Sequence, residues 1–118
     1  MQDLERYLSN LAAEIHRTAE EPTVDAVHDL RVAVRRATQA LRLFSPGEKK
    51  LRKKIKTIRD SAAAVRDRDI TLALLQHLRL PKTDPAVAYL RGQRDLAASQ
   101  LTECLKKRGW QRRLADAS

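Results

Sequence analysis

Residues 24–44 read VDAVHDLRVAVRRATQALRLF, and this stretch decides the fold. Its apolar residues recur at steps of three and four: Val27, Leu30, Val34, Ala37, Leu41 and Phe44. Residues at that spacing share one face of an α-helix, so the stretch predicts an amphipathic helix whose apolar seam packs in a bundle. Thr23 or Asp25 caps its start, and Ser45-Pro46-Gly47 ends it.

The same periodicity continues on both sides of this stretch. It predicts further helices over residues 3–20, 48–66 and 86–108. Gly109 suits the C-terminal cap of the last of these helices. With short connections and one apolar stripe per helix, the chain is all-α, an antiparallel helical bundle of four to five helices in a single domain, 1–118.

The number of helices depends on the segment that follows residue 66. No Gly or Pro separates the third helix from the next apolar run, residues 70–80. Asp67 or Asp69 could cap a new helix after a kink, or one long helix could continue, and the sequence allows both.

Positive charge is concentrated in the middle of the chain. The formal net charge is +9, and nearly all of the excess lies between His28 and Arg68. A surface that serves only solubility would intersperse acids, because like charges at helical spacing repel one another. The concentration therefore favours a site that attracts an anion over a merely solvated surface.

The cations form two rows at helical spacing, each beside an apolar seam. The rows comprise His28, Arg31, Arg35 and Arg42 with Arg36 at their flank, and Lys49, Arg52, Lys56, Arg59 and Arg66. If the two helices are antiparallel neighbours, the rows lie side by side as one basic band. Arg presents paired donors that match phosphate oxygens, and Lys adds a mobile charge, so a line of both suits a linear polymer of phosphates.

Other chemistry has little support in the sequence. His16, His28 and His77 show no metal-ligand spacing, and no Gly-rich phosphate loop or nucleophile–base pair is present, so we expect no metal, no cofactor and no catalysis. Cys104 lies near an apolar stripe and is expected in the core. The acidic cluster Asp60, Asp67 and Asp69 lies among arginines, which favours salt bridges and capping over a cation site.

Two motifs resemble those of the CHAD family of histidine-containing α-helical domains. The segment from His28 to Phe44 follows the family pattern H-x-x-R-V-x-x-R-R…L-R-x-F. Arg52 and Lys56, followed by Val65-Arg66-Asp67-Arg68-Asp69-Ile70, are similar to the family's basic third helix and its R-D-x-D-[VI] element. The resemblance covers roughly residues 4–80.

This resemblance implies a helical bundle that binds inorganic polyphosphate, found on polyphosphate granules or beside phosphate-processing domains. The family's basic residues carry over to His28, Arg31, Arg35, Arg36, Arg42, Arg52, Lys56 and Arg66, whereas Lys49 and Arg59 are added by helical phase alone. Asp67 and Asp69 would orient arginines and cap a helix. Family chains usually hold two bundles around a shared channel, whereas this chain holds one, which implies a half-length form that forms a homodimer or else a fragment.

Three functions remain open from the sequence. The first is polyphosphate binding without catalysis, as a binding or granule-targeting module in the cytoplasm. The second is sequence-nonspecific nucleic-acid binding, which the pI near 10.3 permits although no base-reading pattern is present. The third is an accessory module of a phosphohydrolase. No apolar run approaches the roughly 20 residues of a membrane span, so no membrane partner is expected.

Overall fold

The computed structural model describes residues 2–107 and 109–117 and shows five α-helices and no strand among them. The helices are α1 (Gln2–Glu20), α2 (Val24–Phe44), α3 (Lys49–His77), α4 (Pro85–Leu105) and α5 (Trp110–Ala117). Each of the first three helices packs against the next, and α4 returns to α1, which closes the bundle, while α5 packs against α1. The predicted all-α bundle is confirmed.

The seams predicted from periodicity form the core. Leu8 and Leu11 of α1, Leu30 of α2, Ile58 of α3 and Leu101 of α4 are each at most 1% exposed. These side chains are aliphatic, and burying one contributes about 1.5–3 kcal/mol relative to leaving it in water. The core therefore fixes the relative rotation of α2 and α3, and with it the directions in which their cations point.

Side-chain caps set two of the helix starts. The Thr23 hydroxyl accepts a hydrogen bond from the Ala26 amide at 3.1 Å, as predicted, and the Asp84 carboxylate accepts one from the Ala86 amide at 2.9 Å. Phe44 was predicted on the buried seam of α2, but it is 40% exposed. The prediction is wrong because α2 ends at Phe44, beyond the part of the helix that its neighbours cover.

The open question after residue 66 is resolved in favour of one long helix. α3 continues without interruption through Asp67 and Asp69, so neither residue caps a helix. Asp69 instead accepts a hydrogen bond from Arg94 Nε at 2.9 Å and is buried between α3 and α4. Its expected role in orienting an arginine is confirmed, and its expected role as a cap is wrong.

The C-terminal end also differs from the prediction. α4 ends at Leu105 with Lys106 as its C-cap, so Gly109 does not cap it, and the predicted last residue, Arg108, lies outside the described residues. Gly109 has φ +98° and precedes α5, which the sequence did not predict. Trp110 and Leu114 anchor α5 to the core, and the Gln111 amide donates to the Ala12 carbonyl of α1 at 3.1 Å.

Candidate anion-binding groove

α2 presents the first row of cations on a single exposed face. His28, Arg31, Arg35 and Arg42 are all exposed. At about 100° of rotation per residue, the four fall within an arc of about 60°. The buried residues Val27, Val34 and Leu41 each precede a residue of the row, so the buried seam lies beside the row, about 100° around the helix. The row therefore comes directly from the heptad-like spacing of the sequence.

α3 presents the second row on the flank that faces α2. Arg52, Lys56, Arg59 and Arg66 fall within an arc of about 80° at the same rotation per residue. The other flank of α3 faces α4, because the Thr57 hydroxyl lies 3.9 Å from the Cys104 sulfur. Arg52 and Arg66 are half-buried, which fits side chains whose aliphatic stems lie beside a neighbouring helix.

The short connection between α2 and α3 sets which residues lie opposite each other. The Ser45 amide donates to the Leu41 carbonyl at 2.9 Å, and the Glu48 amide donates to the Ser45 carbonyl at 3.0 Å, so the chain reverses within a few residues. At the other end of α2, Val24 and Ile70 line one cavity. Helices joined this tightly run antiparallel, so the register can be counted outward from the turn.

Counted in this register, the residues of the two rows fall at three shared levels along α2 and α3. Arg42 lies level with Arg52, Arg35 with Arg59, and His28 with Arg66. Successive levels are seven residues and about 10 Å apart, so the three levels span about 21 Å. Arg31 and Lys56 fall between the levels. We call these residues the basic groove: His28, Arg31, Arg35, Arg42, Arg52, Lys56, Arg59 and Arg66.

Two of the predicted site residues lie apart from the groove. Arg36 is about 100° around α2 from Arg35 and lines a cavity of about 440 Å³ on the α1 side, together with Tyr7, Glu14 and the groove residue His28. Lys49 is the first residue of α3 and lies at the outer edge, near the end of the groove that holds Arg42. Eight of the ten predicted residues therefore share one surface.

Most of the groove's cations have no acidic partner. Among the described residues, the ion pairs of the groove are Arg59 with Asp60 at 3.4 Å and His28 with Asp29 at 3.2 Å. The other six cations form no ion pair within 4.0 Å in that part of the chain. The groove is therefore a positive surface whose charge is mostly not neutralised by carboxylates of the described residues.

A carboxylate on the α1 side positions His28, and sequence reasoning did not identify it. Arg17 of α1 donates to the Asp29 carboxylate at 2.7 Å, and Asp29 lies 3.2 Å from His28 Nδ1. The hydrogen bond from Arg17, and then that from His28, lower the pKa of Asp29 below its ordinary value of 3.8. The position of Asp29 next to His28 was a usable signal, but the contact with Arg17 depends on how α1 and α2 pack.

Arg94 and Cys104, which lie outside the groove, have structural roles. Arg94 joins three parts of the fold, because its guanidinium donates to Asp69 at 2.9 Å and to the Pro22 carbonyl at 2.7 Å. Cys104 is partly buried and packs against the core, as predicted. Within residues 2–107 and 109–117, no cluster of three His, Cys, Asp or Glu side chains could hold a metal ion.

Comparisons with known proteins identify one family. The family model described as the CHAD domain matches residues 2–118. No curated protein and no solved structure matches the chain. A search of the described helices for a membrane span found none with the necessary length and apolar character.

Proposed function

We propose that this chain, which belongs to the CHAD domain family, binds inorganic polyphosphate in its basic groove and does not act as an enzyme. The family is linked to polyphosphate binding, and the CHAD domain is a binding module rather than a catalytic one. The observation that carries the proposal for this chain is the alignment of basic residues of α2 and α3 at three successive levels, in a set of eight of which six form no ion pair among the described residues.

The chemistry of the groove fits a polymer of phosphates. Six of its eight residues are arginines that can donate two parallel hydrogen bonds to phosphate oxygens, and charge-assisted bonds of this kind are the strong ones. Their repeat along the helix axes matches a ligand whose charges also lie along a line. The groove contains no Phe, Tyr or Trp, whereas sites for single-stranded nucleic acid usually stack bases on aromatic rings.

A binding module without an active site acts by localising the protein to its ligand. We therefore propose that the protein works in the cytoplasm and associates with polyphosphate granules. A fluorescently tagged chain should colocalise with granules, and a tagged Arg35→Gln/Arg59→Gln variant should be diffuse. Granule association that survives the double substitution would contradict targeting through the groove.

We also propose that the protein forms a homodimer through an uncovered apolar face. Val24, Ile70 and Leu74 form this apolar face and are 48%, 51% and 55% exposed. Val24 and Ile70 line a cavity of about 890 Å³ where α3 extends past the start of α2, and Leu74 lies one helical turn beyond Ile70. Exposed apolar clusters of this kind mark association surfaces in soluble proteins. A chain that stays monomeric at high concentration in analytical ultracentrifugation would contradict the dimer.

A direct titration tests the proposed ligand. Long-chain polyphosphate is titrated at about 0.15 M salt into the wild type, into Arg35→Gln/Arg59→Gln, and into Lys106→Gln/Arg112→Gln. The last variant is a control of equal charge at exposed positions that line a cavity beside α1 and not the groove. The groove variant should lose about tenfold or more in affinity, and the control should stay within about twofold of the wild type. Equal losses in both variants would show attraction by net charge alone.

A further inference from the structure

A second group of cations lies on the other flank of α3, away from the groove. Lys50 and Lys54 of α3, with Lys107 and Arg113, line two adjoining cavities of about 260 and 270 Å³. Lys54 and Arg113 line both cavities. We call these four residues the second basic cluster.

The sequence of α3 explains why cations reach both flanks. Residues 49–59 contain seven Lys and Arg and no acid. Only Leu51, Ile55 and Ile58 of this segment are buried, so cations occupy most of the remaining circumference. At about 100° per residue, Arg52 and Lys56 point to the groove, Lys50 points to the far flank, and Lys53 lies between them.

α5 completes the second basic cluster. The Trp110 indole donates to the Cys104 carbonyl at 3.2 Å, and Leu114 is 1% exposed, so α5 is held firmly against the bundle. This packing places Arg113 beside Lys54. Trp110 and Thr57 also line the cavity between them.

Acidic residues do not neutralise this cluster. Glu48 and Asp116 line the first cavity, and no acidic residue lines the second. Among the described residues, no ion pair within 4.0 Å joins any of the four cations to a carboxylate. Like charges held this close raise the free energy of the bare protein, and a polyanion relieves that repulsion.

We infer that a long polyphosphate chain bound in the groove continues around the first turns of α3, past Lys49 and Lys53, onto the second basic cluster. A helix with its side chains is about 10–12 Å across, a short distance for a flexible polymer already held at one side. The second contact is then intramolecular and benefits from a high effective concentration. Because this inference rests on the proposed function, it predicts how affinity depends on chain length.

The test compares two probes, tripolyphosphate and long-chain polyphosphate, on wild type and three variants whose folding is checked by thermal melting. The cluster variant is Lys50→Gln/Lys54→Gln/Arg113→Gln, the groove variant is Arg35→Gln/Arg59→Gln, and the control is Arg79→Gln/Lys82→Gln/Arg91→Gln. The control removes the same charge as the cluster variant from exposed positions near the α3–α4 turn.

The cluster variant should bind long-chain polyphosphate about tenfold more weakly than the control and bind tripolyphosphate unchanged. Its slope of log affinity against log salt should fall by about 2, which corresponds to three lost phosphate contacts at about 0.7 each. The second contact is overturned if the cluster variant and the control lose equal affinity for long-chain polyphosphate. It is also overturned if the cluster variant loses equal affinity for both probes. If the wild type binds neither probe, or the groove variant binds both normally, the proposed function itself fails.

Discussion

The two halves of α3 differ sharply on the same side of one helix. In the first half, this side carries Arg52, Arg59 and Arg66 and runs alongside α2. In the second half, it carries Ile70 and Leu74, which are half exposed because this part of α3 reaches the start of α2 and extends past it. None of these side chains is among the buried residues of α3, so packing of the core does not explain either set. The comparison teaches that one continuous helix can carry two different surfaces, a charged one, for which we propose a polyphosphate ligand, and an apolar one, for which we propose a second copy of the chain.

The boundary between these halves gives the largest expected effect. Asp69 is almost buried and pairs with Arg94 at 2.9 Å, so Asp69→Ala leaves a guanidinium without its carboxylate. We expect a loss of about 3 kcal/mol in the free energy of unfolding, measured by urea denaturation. Asp67→Ala, at an exposed position two residues away, should stay within about 0.5 kcal/mol of wild type. Equal losses would contradict the structural role of the pair.

Substitution in the apolar half should change association. Leu74→Asp places a carboxylate in the proposed dimer interface, twice in a symmetric dimer, and we expect the dissociation constant to rise about a hundredfold. Sedimentation velocity over a concentration series measures it. Leu43→Asp is the matched control, because Leu43 is 76% exposed at the opposite end of the bundle. A dimer that tolerates Leu74→Asp would place the interface elsewhere.

Single substitutions should distinguish the contributions of two neighbouring arginines of α2 to polyphosphate affinity. Arg35 lies in the groove, whereas Arg36 lies on the α1 side of α2. Arg35→Gln should weaken polyphosphate binding about tenfold, the loss of one charge-assisted contact, and Arg36→Gln less than about threefold. Fluorescence titration of each single variant measures the difference. Similar losses would mean that the site is broader than the groove and includes the α1 side.

The smallest expected effect concerns the carboxylate that positions His28. The pKa of Asp29 lies below its ordinary value of 3.8, so the contact with Arg17 stabilises the fold above that pH and is lost as the pH falls through the lowered pKa. Asp29→Asn should therefore lower the melting temperature slightly at neutral pH. The difference from wild type should vanish well below pH 3.8, and its persistence there would contradict the assignment.

Much of the fold could be predicted because apolar periodicity reports burial directly. Residues such as Leu30 and Leu101 were assigned to the core from spacing alone, and both are 0% exposed. The same phase argument placed the two cation rows, although their role in binding remains a prediction. Membership of the CHAD family is confirmed over residues 2–118.

The failures occurred where local pattern does not specify tertiary contacts. Asp67 and Asp69 can cap a helix or continue one, and the buried contact with Arg94 belongs to the continuous form. α5 is too short for periodicity to predict, and it is stabilised by docking Trp110 and Leu114 on the core. Arg36 was assigned to the binding site by the resemblance to the CHAD family, and this assignment stays a prediction, although Arg36 points about 100° away from Arg35.

Competition binding tests the central claim, that the basic groove selects polyphosphate rather than any polyanion. Labelled long-chain polyphosphate is bound at about 0.15 M salt and displaced with unlabelled polyphosphate, duplex DNA or RNA at equal phosphate concentration. We predict that polyphosphate competes well over tenfold better than either nucleic acid, and that Arg35→Gln/Arg59→Gln abolishes this preference. Equal competition per phosphate by DNA would contradict the claim and show a generic cationic surface.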